Sequence, residues 1–309
     1  MPQEEEQSFY KKHRPKTLAD LVGSPTTIAT VEGWFKKNEV PHAILITGET
    51  GTGKTTLARI IKDKLGCSKH DYKEYNSASV RGIDSIRDIQ LTLNRAPTRG
   101  KCKMYLFDEV HQWTGQTQES ALKMMEDTPS HIYFILATDQ PDRLRKTLKG
   151  RCDPLPLQRL SLAQLETVIS RVIKLERVKI APGIVESICE AADGSARAAL
   201  VLLQQVAGLP PDQQQLAVKE KQESETESID LCKALLNKEK WSKVSAIVQN
   251  LKDDPESVRR HVLAFARGAL LKNPTNRAYV VIDCFRNNFY DSGAAGLAYA
   301  CYEAVLTPD

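Results

Sequence analysis

The stretch GETGTGKT, residues 48–55, decides how this chain is read. It fits the pattern G-x-x-x-x-G-K-[ST], and its flanks are the ones that pattern requires. An apolar run, HAILITG over 42–48, leads in and reads as a strand; an amphipathic segment, TTLARIIKDKL over 55–65, leads out and reads as a helix. Glycines let such a loop wrap so that backbone N–H groups and the helix N-terminus face phosphate oxygens. The candidate phosphate site is therefore Gly48, Glu49, Thr50, Gly51, Thr52, Gly53, Lys54, Thr55 and Thr56. In this pattern Lys54 reaches the β- and γ-phosphates, and the Thr55 hydroxyl holds Mg²⁺.

Working outward, further β-rich runs alternate with helical stretches. Residues 71–78 (DYKEYNSA) predict a second strand, and KMYLFDE (103–109) and IYFILAT (132–138) are short apolar runs of the kind buried parallel sheets use. This alternation predicts βαβ units and a doubly wound α/β sheet. Asp108 and Glu109 close one of those strands, which puts both carboxylates at the sheet edge where open α/β sheets bind ligands. Asp108 suits support of Mg²⁺, and Glu109 suits polarising an attacking water. Thr138 closes the next strand, where its hydroxyl either contacts a phosphate or the water, or simply satisfies backbone. His111 completes DEVH and reads equally as a polar loop residue or a catalytic one.

From Ser161 the strands stop. Ser161 and Gln164 make a capping-box pattern that opens a helix through about 175, and 181–192 and 195–207 read as two more, with Gly194 between them. Residues 209–228, with two prolines, several glutamines and many charges, predict a linker. Four helical segments follow in 229–309. The expected organisation is an α/β domain over 1–160, a helical domain over 161–208, the linker, and an all-helical domain over 229–309.

Composition bounds the rest. The chain has 309 residues, enough for two or three domains, and is 41% hydrophobic and 27% charged, as expected of a globular protein with a real core. No apolar run approaches a membrane span, so no membrane partner is expected. The 43 Lys+Arg against 39 Asp+Glu leave a net charge of only +4, so any affinity for nucleic acid must come from a local basic surface. Seven cysteines without a CxxC pair argue against zinc and fit a reducing compartment.

Several segments in order resemble the AAA+ clamp-loader ATPase subunits: bacterial DnaX-type proteins, replication factor C small subunits and phage counterparts. They are Tyr10-Lys-Lys-His-Arg14-Pro15 with Asp20-Leu21-Val22-Gly23, the P-loop, DEVH, Asn76-Ser-Ala-Ser with Arg81-Gly82-Ile83-Asp84 and Ile86-Arg87, Ser120–Glu126, Gly150-Arg151-Cys152, and Gly194-Ser195-Ala196-Arg197. The match in order and spacing covers residues 8–205. Three departures stand out: Gly150 where the family has Ser, His13 where it has Tyr, and no cysteine-rich zinc module after Cys67. The last favours a phage, archaeal or eukaryotic-like small subunit over the bacterial type. No C-terminal extension for other replisome partners is expected beyond residue 309.

The resemblance implies an AAA+ P-loop domain, a three-helix lid and a helical collar. It implies an ATP hydrolase that uses Mg²⁺ to open a sliding clamp and load it on primer–template DNA. The partners implied are other clamp-loader subunits in a pentameric ring, the sliding clamp and that DNA. Arg14 and Val22 would border the base, Thr138 would be the first sensor, and Arg197 would sense the γ-phosphate from the lid. Arg151 would be the arginine finger entering a neighbour's site, while Arg81 and Arg87 would track DNA phosphates. The location implied is cytoplasmic, the host cytoplasm for a viral protein, or nuclear for a eukaryotic one. Two alternatives stay open: another AAA+ DNA motor of the branch-migration or recombination type, and a non-hydrolysing structural subunit.

Overall fold

The computed structural model describes residues 8–308 except 78–85, 87, 88, 91, 127, 252, 273, 274 and 290, and gives the backbone alone at 219–226 and 272. The chain divides into two compact units, residues 1–214 and 215–309.

The first unit is built on five parallel strands: β1 (Ala43–Thr47), β2 (Tyr72–Asn76), β3 (Lys103–Asp108), β4 (Ile132–Thr138) and β5 (Asp153–Pro156). Their order across the sheet is β2-β3-β4-β1-β5. The three central strands are buried nearly throughout because helices cover both faces. Alternate side chains serve the two faces. Leu45, Phe107, Phe134 and Leu136 pack with Trp113 and Met124 on one side. Ile44, Ile46, Leu106 and Ile135 pack with Leu57, Ile60 and Ile61 on the other. These last three belong to helix α3 (Lys54–Lys64), which begins inside the phosphate loop.

The order of the strands fixes the site. Because β4 lies between β3 and β1 and all run the same way, Thr138 emerges beside both the phosphate loop and the Asp108-Glu109 pair. The register Thr47↔Thr138 and the 3.2 Å hydrogen bond from Gly48 N–H to the Thr138 carbonyl tie those ends together.

Three helices follow: α6 (Leu162–Glu176), α7 (Ile184–Ala191) and α8 (Ala196–Ala207). The Ser161/Gln164 capping box forms as the sequence predicts, with reciprocal bonds of 3.3 and 3.0 Å. Helix α7 starts later than expected because Gly183, in left-handed backbone with φ +80°, occupies its N-cap.

Two elements of the first unit run against the sequence reading. β5, the stretch DPLP, contains two prolines and reads as a turn. It survives as a strand because it lies at the sheet edge, where a missing N–H breaks no ladder on the open side. Helix α2 (Pro25–Lys37) was not expected, although Pro25 stands at its favoured first position.

The expected linker at 209–228 is also corrected. A single helix, α9 (Pro211–Leu236), runs through it, and the boundary between the two units falls inside that helix. The reason is local: proline is tolerated in a first turn, and the following Gln, Lys and Glu residues are good helix formers even without an apolar stripe.

The second unit adds α10 (Trp241–Asn250), α11 (Pro255–Lys272), α12 (Asn276–Cys284) and α13 (Gly293–Leu306). Leu231, Val244, Val258, Val262, Phe285 and Cys301 share its core. α10 lies between the segments recognised in sequence and buries Val244. The buried Arg277 donates to the Leu235 and Ala304 carbonyls at 2.7 and 2.6 Å. Among the described residues no helix is long and apolar enough to cross a membrane.

Candidate nucleotide site

The phosphate loop depends on glycine at two places in particular. Gly53 caps α3 in left-handed backbone, φ +101°, a region other residues enter with strain. A Cβ on Gly48 would stand 2.6 Å from the Leu157 carbonyl oxygen, so the loop could not pass so close to β5 with any side chain there. Lys54 is 7% exposed and donates from Nζ to the carbonyls of Gly48 and Glu49 at 2.8 and 3.0 Å. Its ammonium therefore lies inside the turn that would surround a phosphate. The Thr55 hydroxyl donates to Asp108 Oδ2 at 2.9 Å. Hydroxyl and carboxylate oxygens are the hard donors that Mg²⁺ takes, usually with several waters.

Glu109 follows in an unusual conformation, φ 59° and ψ 37°, which a glutamate adopts only where its surroundings hold it. Burial, then the charge of Asp139, push its carboxyl pKa above the ordinary glutamate value, while His111 pulls the other way. His111 is buried: Nε2 lies 3.4 Å from Glu109 Oε2, and Nδ1 lies 3.2 Å from both Asp139 Oδ1 and the Thr138 hydroxyl. Thr138 is fully buried and its Oγ1 also accepts from the Gln140 N–H at 3.0 Å.

A cavity of about 540 Å³ opens over this loop. Tyr10, Arg14 and Val22 line it from the N-terminal segment, and Arg197 and Leu200 from α8. The Arg197 guanidinium sits 4.8 Å over the Tyr10 ring. Burial and then the Arg59 charge lower the Arg14 pKa, and its Nη1 is buried with no hydrogen-bond partner among the described residues. A buried donor left unsatisfied is costly, which suits a wall that receives a polar ligand edge. The N-terminal segment is tied to the helical layer by Asp20–Arg171 at 2.7 Å and by Lys12 and His13 on Glu176.

Arg159, which sequence reasoning missed, connects Glu49 of the loop (Nε to Oε2, 2.6 Å) with Asp193 just before α8. No motif announces it; only the fold brings residues 49, 159 and 193 together. Asp139 and Tyr10 were missed as contributors too. Asp139 follows Thr138 directly, and Tyr10 heads the N-terminal segment, so adjacency was the available signal.

Arg151 is placed differently. It caps the short helix α5 (Lys146–Gly150), is exposed, and is not among the residues lining the cavity. Its side chain has no hydrogen bond or ion pair among the described residues. Arg81 and Arg87 lie outside the described residues.

With this geometry in hand, comparison with known proteins narrows the reading. A family model described as DNA polymerase III, delta subunit, matches residues 76–161, and one described as Sigma-54 interaction domain matches residues 22–83. DNA polymerase III subunit tau of Bacillus subtilis is 30% identical over 227 residues, which is 67% of this chain and 40% of that protein. The Escherichia coli subunit tau is 30% identical over 220 residues, 64% of this chain and 34% of that protein. The subunit gamma of Buchnera aphidicola subsp. Schizaphis graminum is 29% identical over 219 residues, 64% of this chain and 60% of that protein. The chain thus spans less than two thirds of the length of each of these relatives. They are bacterial, whereas the missing cysteine module pointed away from the bacterial type.

Among solved structures, a Thermotoga maritima RuvB Holliday junction branch migration motor matches with a TM-score of 0.58 at 22% identity, over 72% of this chain and 79% of that one. A point mutant of the same Thermotoga maritima RuvB matches with a TM-score of 0.59 at 21% identity, over 72% and 80%. At such identities the likeness speaks for the fold alone.

Proposed function

We propose, of a chain that belongs to the AAA+ clamp-loader family, that it is an ATPase subunit of a DNA-replication clamp loader. The observation that carries the proposal is the Thr55–Asp108 hydrogen bond, with Lys54 and Glu109 on either side of it and Arg197 across the cavity. Loop N–H groups and Lys54 bind the β- and γ-phosphates of ATP, and Arg14 and Val22 border the base. Thr55 and Asp108 hold Mg²⁺, which neutralises charge on the phosphate oxygens when bound. Glu109 orients the water that attacks the γ-phosphorus as the bond to the bridging oxygen breaks and ADP leaves. Thr138 contacts the γ-phosphate, and Arg197 brings the helical layer down on it.

Arg151, exposed and away from its own cavity, serves a neighbouring subunit's site. Fingers of this kind contribute about 10³ to 10⁵ in rate elsewhere. The proposed assembly is a pentameric ring, with residues 1–160 as the motor, 161–208 as lid and 229–309 as collar. In it ATP binding favours the state that holds an open sliding clamp on primer–template DNA, and hydrolysis releases the clamp. Arg81 and Arg87 are proposed to grip DNA phosphates, and the location proposed is the cytoplasm, where seven unpaired cysteines are at home.

The RuvB-like fold favours a second reading, a branch-migration motor. Steady-state ATPase with DNA polymerase III partner subunits, with and without sliding clamp and primer–template DNA, separates the two. Synergistic stimulation by clamp and DNA, lost in Lys54→Ala and Arg151→Ala, supports the loader. Stimulation by junction DNA without regard to clamp supports the motor. Loading that survives Lys54→Ala leaves a structural subunit.

A further inference from the structure

The group at the end of β4 contains more than the reaction above uses. Ligand-capable atoms of Glu109, His111 and Asp139 all lie within 4.8 Å of one another. Such a set could suggest a metal, but the two ring nitrogens of His111 face different carboxylates: Nε2 faces Glu109 and Nδ1 faces Asp139. One cation cannot take both nitrogens of one imidazole, whereas a hydrogen-bonded bridge uses both. The arrangement is that of a relay.

Its direction follows from donors and acceptors. A bare ring nitrogen against a carboxylate sets lone pair against lone pair, so Nε2 carries a proton and offers it to Glu109. Nδ1 is then the acceptor, and the hydrogen-bonded donor beside it is the Thr138 hydroxyl, 3.2 Å away. Thr138 has that proton to give because its oxygen already accepts from the Gln140 N–H at 3.0 Å. The chain therefore runs Gln140 N–H to Thr138, Thr138 O–H to His111 Nδ1, and His111 Nε2–H toward Glu109. The last distance, 3.4 Å, is long, as catalytic hydrogen bonds often are before the reacting complex tightens them.

We infer that His111 is a positioning residue that couples Thr138 to Glu109, so that the carboxylate is aimed according to what Thr138 is bonded to. While the Thr138 hydroxyl supports Nδ1, His111 holds Glu109 by its Nε2–H. When that hydroxyl turns to a phosphate oxygen, Nδ1 loses its donor and Asp139 becomes its partner. Nδ1 then takes a proton from water and Nε2 returns one, and Glu109 is released to the attacking water. The side chain stays buried among these partners throughout, which keeps water from short-circuiting the chain. The inference rests on the hydrolase reading of the preceding subsection.

The test compares wild type, His111→Ala, His111→Gln, Thr138→Val and the double variant His111→Ala/Thr138→Val as full chains. Single-turnover hydrolysis of radiolabelled ATP and affinity for a fluorescent ATP analogue are measured on each. A relay predicts that His111→Ala lowers the turnover rate about 10- to 100-fold with affinity unchanged. His111→Gln, whose amide N–H can reach Glu109, should recover much of the loss. Thr138→Val should cost no more in the double variant than His111→Ala costs alone, because both break one chain. Independent, multiplying losses, or full turnover in His111→Ala, overturn the relay.

Should the variants fail to fold, the ¹⁵N shifts of the His111 ring in wild type decide. A protonated Nε2 with Nδ1 accepting is the expected state without nucleotide, and a bare Nε2 overturns the inference. Should wild type show no Lys54-dependent turnover, the hydrolase reading fails by itself, and the same ring shifts still settle the chain.

Discussion

Thr55 and Asp108, 53 residues apart in sequence, share a 2.9 Å hydrogen bond at the carboxyl edge of the sheet. One begins the helix after β1 and the other ends β3, and β4 separates those strands, so the bond spans the full width of a neighbouring strand. Helix α3 must be packed on the sheet for it to form, and Leu57, Ile60 and Ile61 fix that packing. The core thereby sets the distance between two hard oxygen donors.

Asp108→Asn tests what that pairing is for. The amide oxygen can still accept from Thr55, so the melting temperature should hold within a few degrees. The charge that attracts Mg²⁺ is lost, so hydrolysis should fall by about 10² or more. Mg²⁺ titrations of ATP-analogue binding should show the cation requirement moving to higher concentration. A large drop in melting temperature with unchanged cation dependence would make Asp108 a structural residue.

Most of this edge was legible in the sequence because each part ends an apolar run. HAILITG, KMYLFDE and IYFILAT announce buried strands, and the chemistry sits on their last residues. What was not legible depends on position in space. DPLP becomes a strand only because the edge beside β1 is open to it. Arg159 matters only because Glu49 and Asp193 arrive at its two ends. His111 looked like a loop residue until Phe107, Val110 and Trp113 around it packed under the sheet. The glutamine-rich segment 209–228 lacked the apolar stripe by which helices are recognised, yet its residues favour helix all the same.

Arg151 and Lys54 make separable predictions. Lys54→Ala removes the cation inside the loop, so ATP binding and hydrolysis should both be lost in that subunit. Arg151→Ala leaves the subunit's own cavity intact, so its ATP affinity should stay unchanged while the assembled complex loses about 10³ in rate. Mixing the two variants should restore part of the activity, since a Lys54→Ala chain can still lend Arg151 to a neighbour. No complementation, with ATP affinity impaired in Arg151→Ala, would place Arg151 in its own site.

Glu109 predicts a pH dependence with a definite sign. Burial and Asp139 hold its carboxyl pKa above the usual value, and the residue works ionised. Hydrolysis should therefore fall on acidification through that raised value, at a higher pH than an ordinary glutamate would give. Asp139→Asn removes one cause of the rise and should shift the acidic limb downward. Stability runs the other way, because ionised Glu109 is disfavoured by the fold. Glu109→Gln should be more stable than wild type at neutral pH, with the gap narrowing as pH falls through the raised value. The gap should close near the ordinary glutamate pKa, about 4.3. A gap that widens on acidification would refute the assignment.

Glu256 in the second unit gives the opposite case. Its carboxylate is nearly buried and accepts from Arg259 Nη2 at 2.7 Å, from Arg259 Nε at 2.8 Å and from the Phe289 N–H at 2.9 Å. The Arg259 hydrogen bonds chiefly, with the Phe289 N–H, lower its pKa to about 2 against the opposing effect of burial. A depressed carboxyl contributes stability that is complete above the unfolded pKa and is lost as pH falls toward the folded one. The second unit should accordingly weaken between about 4.3, the ordinary glutamate value, and 2. Glu256→Gln should destabilise it at neutral pH and should flatten that acid dependence. Hydrogen exchange at the Phe289 amide reads this unit directly, whatever the first unit does. Faster exchange in Glu256→Gln at pH 7, with the difference from wild type shrinking toward pH 2 after correction for intrinsic rates, is the expected outcome. Equal protection in both proteins at pH 7 would show that this carboxylate does not hold the Phe289 turn against α11.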